Sequence, residues 1–265
     1  KDRRSEIHML QFFLVCLTAG LAAGIGTGFA GLSAATVIAP MLIAFLGFPW
    51  YESVGIGLAS DVLASALAAW IYKKHGNIDL KNGSFMLVSV LAMTVAGSYF
   101  SQYMPDMEMG YLSIIMSFCM GLRFIIKPVT GRKSFFSRST GKRKTVISVI
   151  CGLCIGFYCG FMGLGGGMMM LFILTFVLGY DLKTAVGTSV FVMTFTAFTG
   201  AASHFYFGDI AGGMVPALFL CALFTLLGSV VTSAMSNRMK PENTNRATGV
   251  VLVVLGIAMI FEQIL

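Results

Sequence analysis

The residues in this sequence best equipped for chemistry are glycines, hydroxyls and one acid. Gly163, Gly165, Gly166 and Gly167 fall within five residues of one another in an apolar run, where any helix must break. A helix that restarts after such a break turns free N–H groups and the positive end of its dipole toward the gap, which suits a small anion. Gly187-Thr188-Ser189 follows and adds two neutral hydroxyl donors. At membrane depth, backbone freed from a helix is tolerated only where it faces protein or a water-filled cavity. The stretch is therefore expected to line a substrate path, the alternative being a turn that holds no ligand. Gly31, Ser33, Gly55 and Gly57 stand at or beside matching places earlier in the chain. They form a poorer version, with Ser33-Ala34-Ala35 in place of the triple glycine and Gly55-Ile56-Gly57 in place of Gly-Thr-Ser.

Asp61 is the sharpest single residue. It lies inside an apolar segment between Ser60 and Val62, where a charge costs several kcal/mol and usually has a functional reason. A proton carrier is the expected role, and a protonated or hydrogen-bonded structural acid the alternative. Arg123 lies four residues before Lys127 and is expected to snorkel to the interface. His204 is expected at the interface rather than in a relay. Met168-Met169-Met170 points to different helix faces and cannot converge on one metal ion. Cys151-x-x-Cys154 lies in a helical run, where cysteine packs as a small hydrophobe, with thiol chemistry the weaker reading. There is no HExxH, phosphate loop or nucleophile–base pair. No catalytic residue, metal or cofactor is expected, and an enzyme has little to stand on.

The elements that must position these residues are membrane helices. Of 265 residues, 57% are hydrophobic and 11% charged. Apolar runs recur from Met9 to Leu265, and a span needs about 20 such residues. The chain reads as an all-α polytopic membrane protein, with the lipid bilayer as its surroundings. The net charge of +7 is concentrated in a basic loop over 127–144, as expected of a cytoplasmic loop, so it implies no nucleic acid. No cleavable signal pattern is present; the first apolar run is long enough to span.

Shifting the chain by 132 residues aligns its halves without a gap. Gly20, Gly24, Gly28, Phe29, Gly31, Gly55 and Gly76 meet Gly152, Gly156, Gly160, Phe161, Gly163, Gly187 and Gly208. This gives a first repeat (1–126), a linker (127–144) and a second repeat (145–265). Each has four to five transmembrane segments, the second of them short and glycine-broken. The Gly20/Gly24/Gly28 and Gly152/Gly156/Gly160 ladders are expected to be close-packing faces. If the short segments cross, there are ten spans and inverted repeats; if not, eight spans and parallel repeats. Positive-inside counting separates the two poorly, and the inverted form is slightly favoured because it builds two-sided access into the duplication. Trp50, Tyr51, Trp70 and Tyr72 sit at segment ends and are expected at headgroup level.

In order and twice over, these motifs resemble the sulfite exporter TauE/SafE family. They are Gly160-Phe161-Met162-Gly163-Leu164-Gly165-Gly166-Gly167, Ala185-Val186-Gly187-Thr188-Ser189 and Gly208-Asp209-Ile210. Fainter echoes are Gly28-Phe29-Ala30-Gly31-Leu32-Ser33, Gly55-Ile56-Gly57 and Gly76-Asn77-Ile78. The resemblance implies a permease of the cytoplasmic membrane for sulfite, sulfonates or related sulfur anions, often an exporter, with about eight spans. The expectation is a secondary transporter with a small anionic substrate, alternating between its two repeats. A passive anion channel is the main alternative and a membrane thiol-redox protein a weaker one.

Overall fold

The structure is a computed structural model that describes residues 2–101, 118–119, 122–123, 125–126, 142–162, 167–207 and 214–264. The described residues are helical throughout, without a strand. The helices are α1 (Asp2–Ala30), α2 (Ala35–Leu46), α3 (Trp50–Lys74), α4 (Leu80–Ser101), α5 (Lys142–Met162) and α6 (Gly167–Phe172). A π-helical turn (Ile173–Val177), α7 (Leu182–Phe207), α8 (Val215–Arg238) and α9 (Pro241–Ile264) complete the order. Among the described residues five stretches are long and apolar enough to cross a membrane: His8–Ala30, Tyr51–Lys74, Leu80–Gly97, Leu182–Tyr206 and Val215–Arg238. The last helix starts at Pro241, with polar first turns that carry no hydropathy signal.

The break expected at Gly31 is there. Gly31 adopts a left-handed conformation (φ +63°) that ends α1. After Leu32 and Ser33 the chain resumes as α2, only 12 residues long, closed by Gly47 in the same conformation, with the Gly47 N–H on Ile43 O and the Phe48 N–H on Leu42 O.

Small residues set the helix directions. A Cβ added to Gly20 would lie 2.7 Å from Phe224 Cβ, and one on Gly28 would lie 2.8 Å from Ser229 O, so α1 and α8 run parallel in direct backbone contact. The Ser229 hydroxyl donates to Ala64 O at 3.2 Å, and the Tyr72 and Ser236 hydroxyls are hydrogen-bonded at 2.9 Å, so α3 runs parallel to both. With α1 and α3 parallel, the chain must return between them. That return is the break and α2, which descends along α3 with Ala35 and Ala39 packed among Val54 and Leu58.

In α7 the direction reverses. Gly55 lies against His204 and Phe205, Gly200 against Leu58, and Gly187 against Tyr72, so α3 and α7 are antiparallel. The first and last of these contacts are reciprocal, since Gly55 and Gly187, like Tyr72 and His204, stand 132 residues apart. Gly152 and Gly156 similarly press α5 onto Met86, Ser89 and Val90 of α4. Each glycine ladder thus packs its helix on the fourth segment of the other half, and the halves interleave.

The basic residues of the described loops gather at one end. The Lys183 ammonium donates to Asn237 O at 3.0 Å and Met239 O at 2.6 Å, and the Asn77 amide donates to Asn237 Oδ1 at 2.6 Å. Lys73, Lys74, Lys183, Arg238 and Lys240 therefore share a face, whereas eight crossings with parallel repeats put Lys183, Arg238 and Lys240 opposite Lys73 and Lys74. One expectation is corrected. Tyr72 is fully buried, its hydroxyl also donating to Gly28 O at 2.8 Å, and takes no part in a headgroup belt. Trp70 is exposed beneath the Lys74 ammonium, 3.5 Å from its ring.

Candidate functional site

The first break largely satisfies its own backbone. Gly31 N–H donates to Thr27 O at 2.9 Å, and the Thr27 hydroxyl spans the gap, donating to Ala23 O (3.0 Å) and Leu32 O (2.9 Å). Ser33 O accepts from the Thr36 hydroxyl at 2.6 Å, and Ser33 Oγ accepts from Ala35 N–H at 3.4 Å. Such local bonds are what let non-helical backbone persist away from water.

The two halves meet at this point. A Cβ on Gly31 would collide with Ser189 Oγ, and one on Gly167 would collide with Gly31 O while lying 2.9 Å from Ser33 N. Gly31, Ser33, Gly167 and Ser189 are thus brought together, all buried. Gly57 joins from α3, where a Cβ would come within 2.5 Å of Ala35 Cα. Four residues further along α3 is Asp61, with no exposed surface. Its carboxylate faces the Ser33 hydroxyl, the Ala34 N–H and the Thr27 hydroxyl, yet neither oxygen reaches a hydrogen-bond partner among the described residues. The acid and the first break, expected to serve separately, occupy one place.

The remaining candidates have other surroundings. Gly55 is covered by His204 and Phe205, and Gly187 by Asn77 O and Tyr72. Thr188 Oγ1 accepts from Asp79 N–H at 3.1 Å, anchoring the start of α4. Gly163, Gly165, Gly166 and Gly208-Asp209-Ile210 lie outside the described residues.

His204 is corrected from an interfacial residue. It is 7% exposed, its Nδ1 3.1 Å from Tyr51 O and its ring 4.1 Å from that of Tyr51. The Arg123 guanidinium lies over the Phe176 ring at 5.4 Å, beside the π-helical turn. Cys151 is half-buried and Cys154 exposed, both as free thiols. Among the described residues no cluster of His, Cys, Asp and Glu could hold a metal ion.

Sequence reading missed Thr27, which no motif marks. It also missed a polar knot at the basic end. There the Tyr180 hydroxyl donates to Asp79 Oδ2 at 2.5 Å, and Asn82 donates to the same carboxylate through its amide (2.7 Å) and its N–H (3.0 Å). Burial, then the neighbouring Asp79, pushes the Tyr180 phenol well above its ordinary value of 10.0.

A bundle of long apolar helices closed around a buried helix break, with hydroxyls and an acid turned into it, defines a multi-pass membrane protein of the transporter class. The chain belongs to the sulfite exporter TauE/SafE family, whose profile matches residues 16–259. It is 23% identical to "Probable membrane transporter protein YunE" of Bacillus subtilis, over 95% of this chain and 98% of that one. It is 24% identical to "Probable membrane transporter protein YdhB" of the same organism, over 90% and 96% of the two chains. A protein of Methanocaldococcus jannaschii, also named a probable membrane transporter, is 22% identical over 96% and 98%.

Proposed function

We propose that this protein is a secondary transporter of the cytoplasmic membrane that exports a small sulfur-containing anion such as sulfite or an organosulfonate. One observation carries the reading: the break at Gly31–Ser33 meets Gly167 and Ser189 of the other half in the buried centre of the bundle. Backbone amides and hydroxyls bind the anion there. The basic end is cytoplasmic by the positive-inside rule, and the antiparallel α3 and α7 support an inverted duplication with ten crossings. The α1–α8 and α4–α5 contacts are backbone to backbone, so the moving bodies are mixed bundles, each drawing helices from both repeats, that swing about the α3–α7 pair. This departs from halves that rock as sequence units.

The test is flux in liposomes holding the purified protein, with sulfite, thiosulfate, sulfoacetate, taurine and chloride, with and without a pH gradient. Accumulation of one sulfur anion against its gradient is expected. Ser189→Ala should raise its KM about fivefold, the loss of roughly one hydrogen bond. Flux that only relaxes an existing gradient would establish a channel instead, and absence of flux for every anion would overturn the substrate class.

A further inference from the structure

The position of Asp61 deepens this reading. The break leads into a helix of 12 residues, long enough for its first turn to carry the positive end of a dipole. At that turn Thr36 N–H, Val37 N–H and Ile38 N–H are taken by Ser33 O and Ala34 O, and Ala35 N–H by Ser33 Oγ. The Ala34 N–H and the Ser33 hydroxyl remain at the break, against which α3 packs at Gly57, one turn before Asp61. They are the donors an incoming oxyanion would use. The Asp61 carboxylate is wholly buried and has no hydrogen-bond partner among the described residues.

We propose that the first-half break is an anion seat which Asp61 directly borders, so that ionised Asp61 and the transported anion exclude one another. Two negative charges at one buried seat disfavour each other strongly. The anion therefore binds when Asp61 takes a proton from solvent, and each monovalent anion enters together with one proton as a neutral pair. Among the described residues nothing else nearby supplies the compensating charge. Helix α2 has no titratable residue, and α1 offers only Cys16 between Gln11 and Ala30. On α7 the titratable group against α3 is His204, held at Tyr51, ten residues before Asp61 in the chain. On α8 the groups are Cys221, beside Cys16, and Arg238 in the last turn. On α3 itself Glu52 stands in the first turn, and Tyr72 faces Gly28 and Ser236. The second half has no counterpart, because Met193 stands where Asp61 has its repeat partner. Coupling is thus a property of one half.

The inference rests on the chain being an anion transporter, and calorimetry on the purified protein separates the two claims. The probes are methanesulfonate and sulfate, whose charges stay fixed between about pH 6 and 8 while a carboxyl group can titrate. Binding is measured in buffers of differing ionisation enthalpy, with sodium and then with choline as the cation. On the alkaline side, wild type is expected to take up about one proton per methanesulfonate, whichever cation is present. Asp61→Asn should take up none and bind about tenfold tighter there. Ser33→Ala, which keeps the acid, should weaken binding about fivefold while still taking up about one proton. Binding by wild type without proton uptake, uptake that persists in Asp61→Asn, or binding that needs sodium would each overturn the shared seat. Any of these alongside active liposome flux leaves the transporter standing. Failure of both anions to bind either protein overturns the seat, and loss of flux as well takes the transporter reading with it.

Discussion

At Gly24 a single hydrogen decides whether two helices can touch. A Cβ there would collide with Thr225 O and lie 2.8 Å from Ser229 N, and backbone atoms cannot rotate away as a side chain can. Gly24→Leu is expected to cost about 3 kcal/mol or more, read as loss of the monodisperse peak after mild heating in detergent. Gly47 is a control of a different kind. Its φ is +64° but no atom lies within 4 Å of an added Cβ, so Gly47→Ala should cost only the left-handed strain, about 1–2 kcal/mol. Tyr72→Phe removes bonds to Gly28 O and Ser236 Oγ and leaves a buried carbonyl short of its donor. A loss of about 1–3 kcal/mol is expected in the same assay. Asp61 was legible from the sequence because a charge in an apolar run is conspicuous. Its alignment with the first break was not, since that depends on how far α2 descends along α3. Tyr72 was misread for a related reason: position near a helix end does not say which face meets lipid.

Element boundaries were legible wherever apolar runs end in glycine, proline or charge, as at Gly47 and Pro49. They are not legible at α9, whose first turns are polar. The short α2 shows why length alone says little about topology: with the break before it, a helix of 12 residues carries the chain back along α3. The loop elements at the basic end make their own prediction. Tyr180 is neutral in the folded protein, and its raised phenol stabilises the fold below the ordinary tyrosine value of 10.0. That contribution disappears as pH rises from 10.0 toward the higher folded value. Wild type should lose thermal stability on alkaline titration more steeply than Tyr180→Phe, and parallel curves for the two would count against the Asp79–Tyr180 contact.

For the whole molecule, gathering the basic loops at one end makes a sidedness prediction. With native cysteines removed, Lys81→Cys and Lys240→Cys should react with an impermeant maleimide from the same side of the membrane. Pro49→Cys, at the turn from α2 to α3, should react from the other. Opposite sidedness for the first two would favour eight crossings. The duplication is read from the sequence alone, where glycines recur at a fixed offset of 132 residues. The exchange of packing partners between its copies is not, because a repeat seen in sequence says nothing about which copy a face is buried against.

That exchange bears on how the chain is made. Helix α1 enters the bilayer early in synthesis, yet the surface that fits Gly20, Gly24 and Gly28 lies on α8, which begins only at Val215. Until then the bare stripe of α1 has lipid or an insertion factor for company, and the first repeat has no fold of its own to complete. Assembly therefore waits for the end of translation. Cells given the two repeats as separate chains should accumulate both together and degrade either one supplied alone.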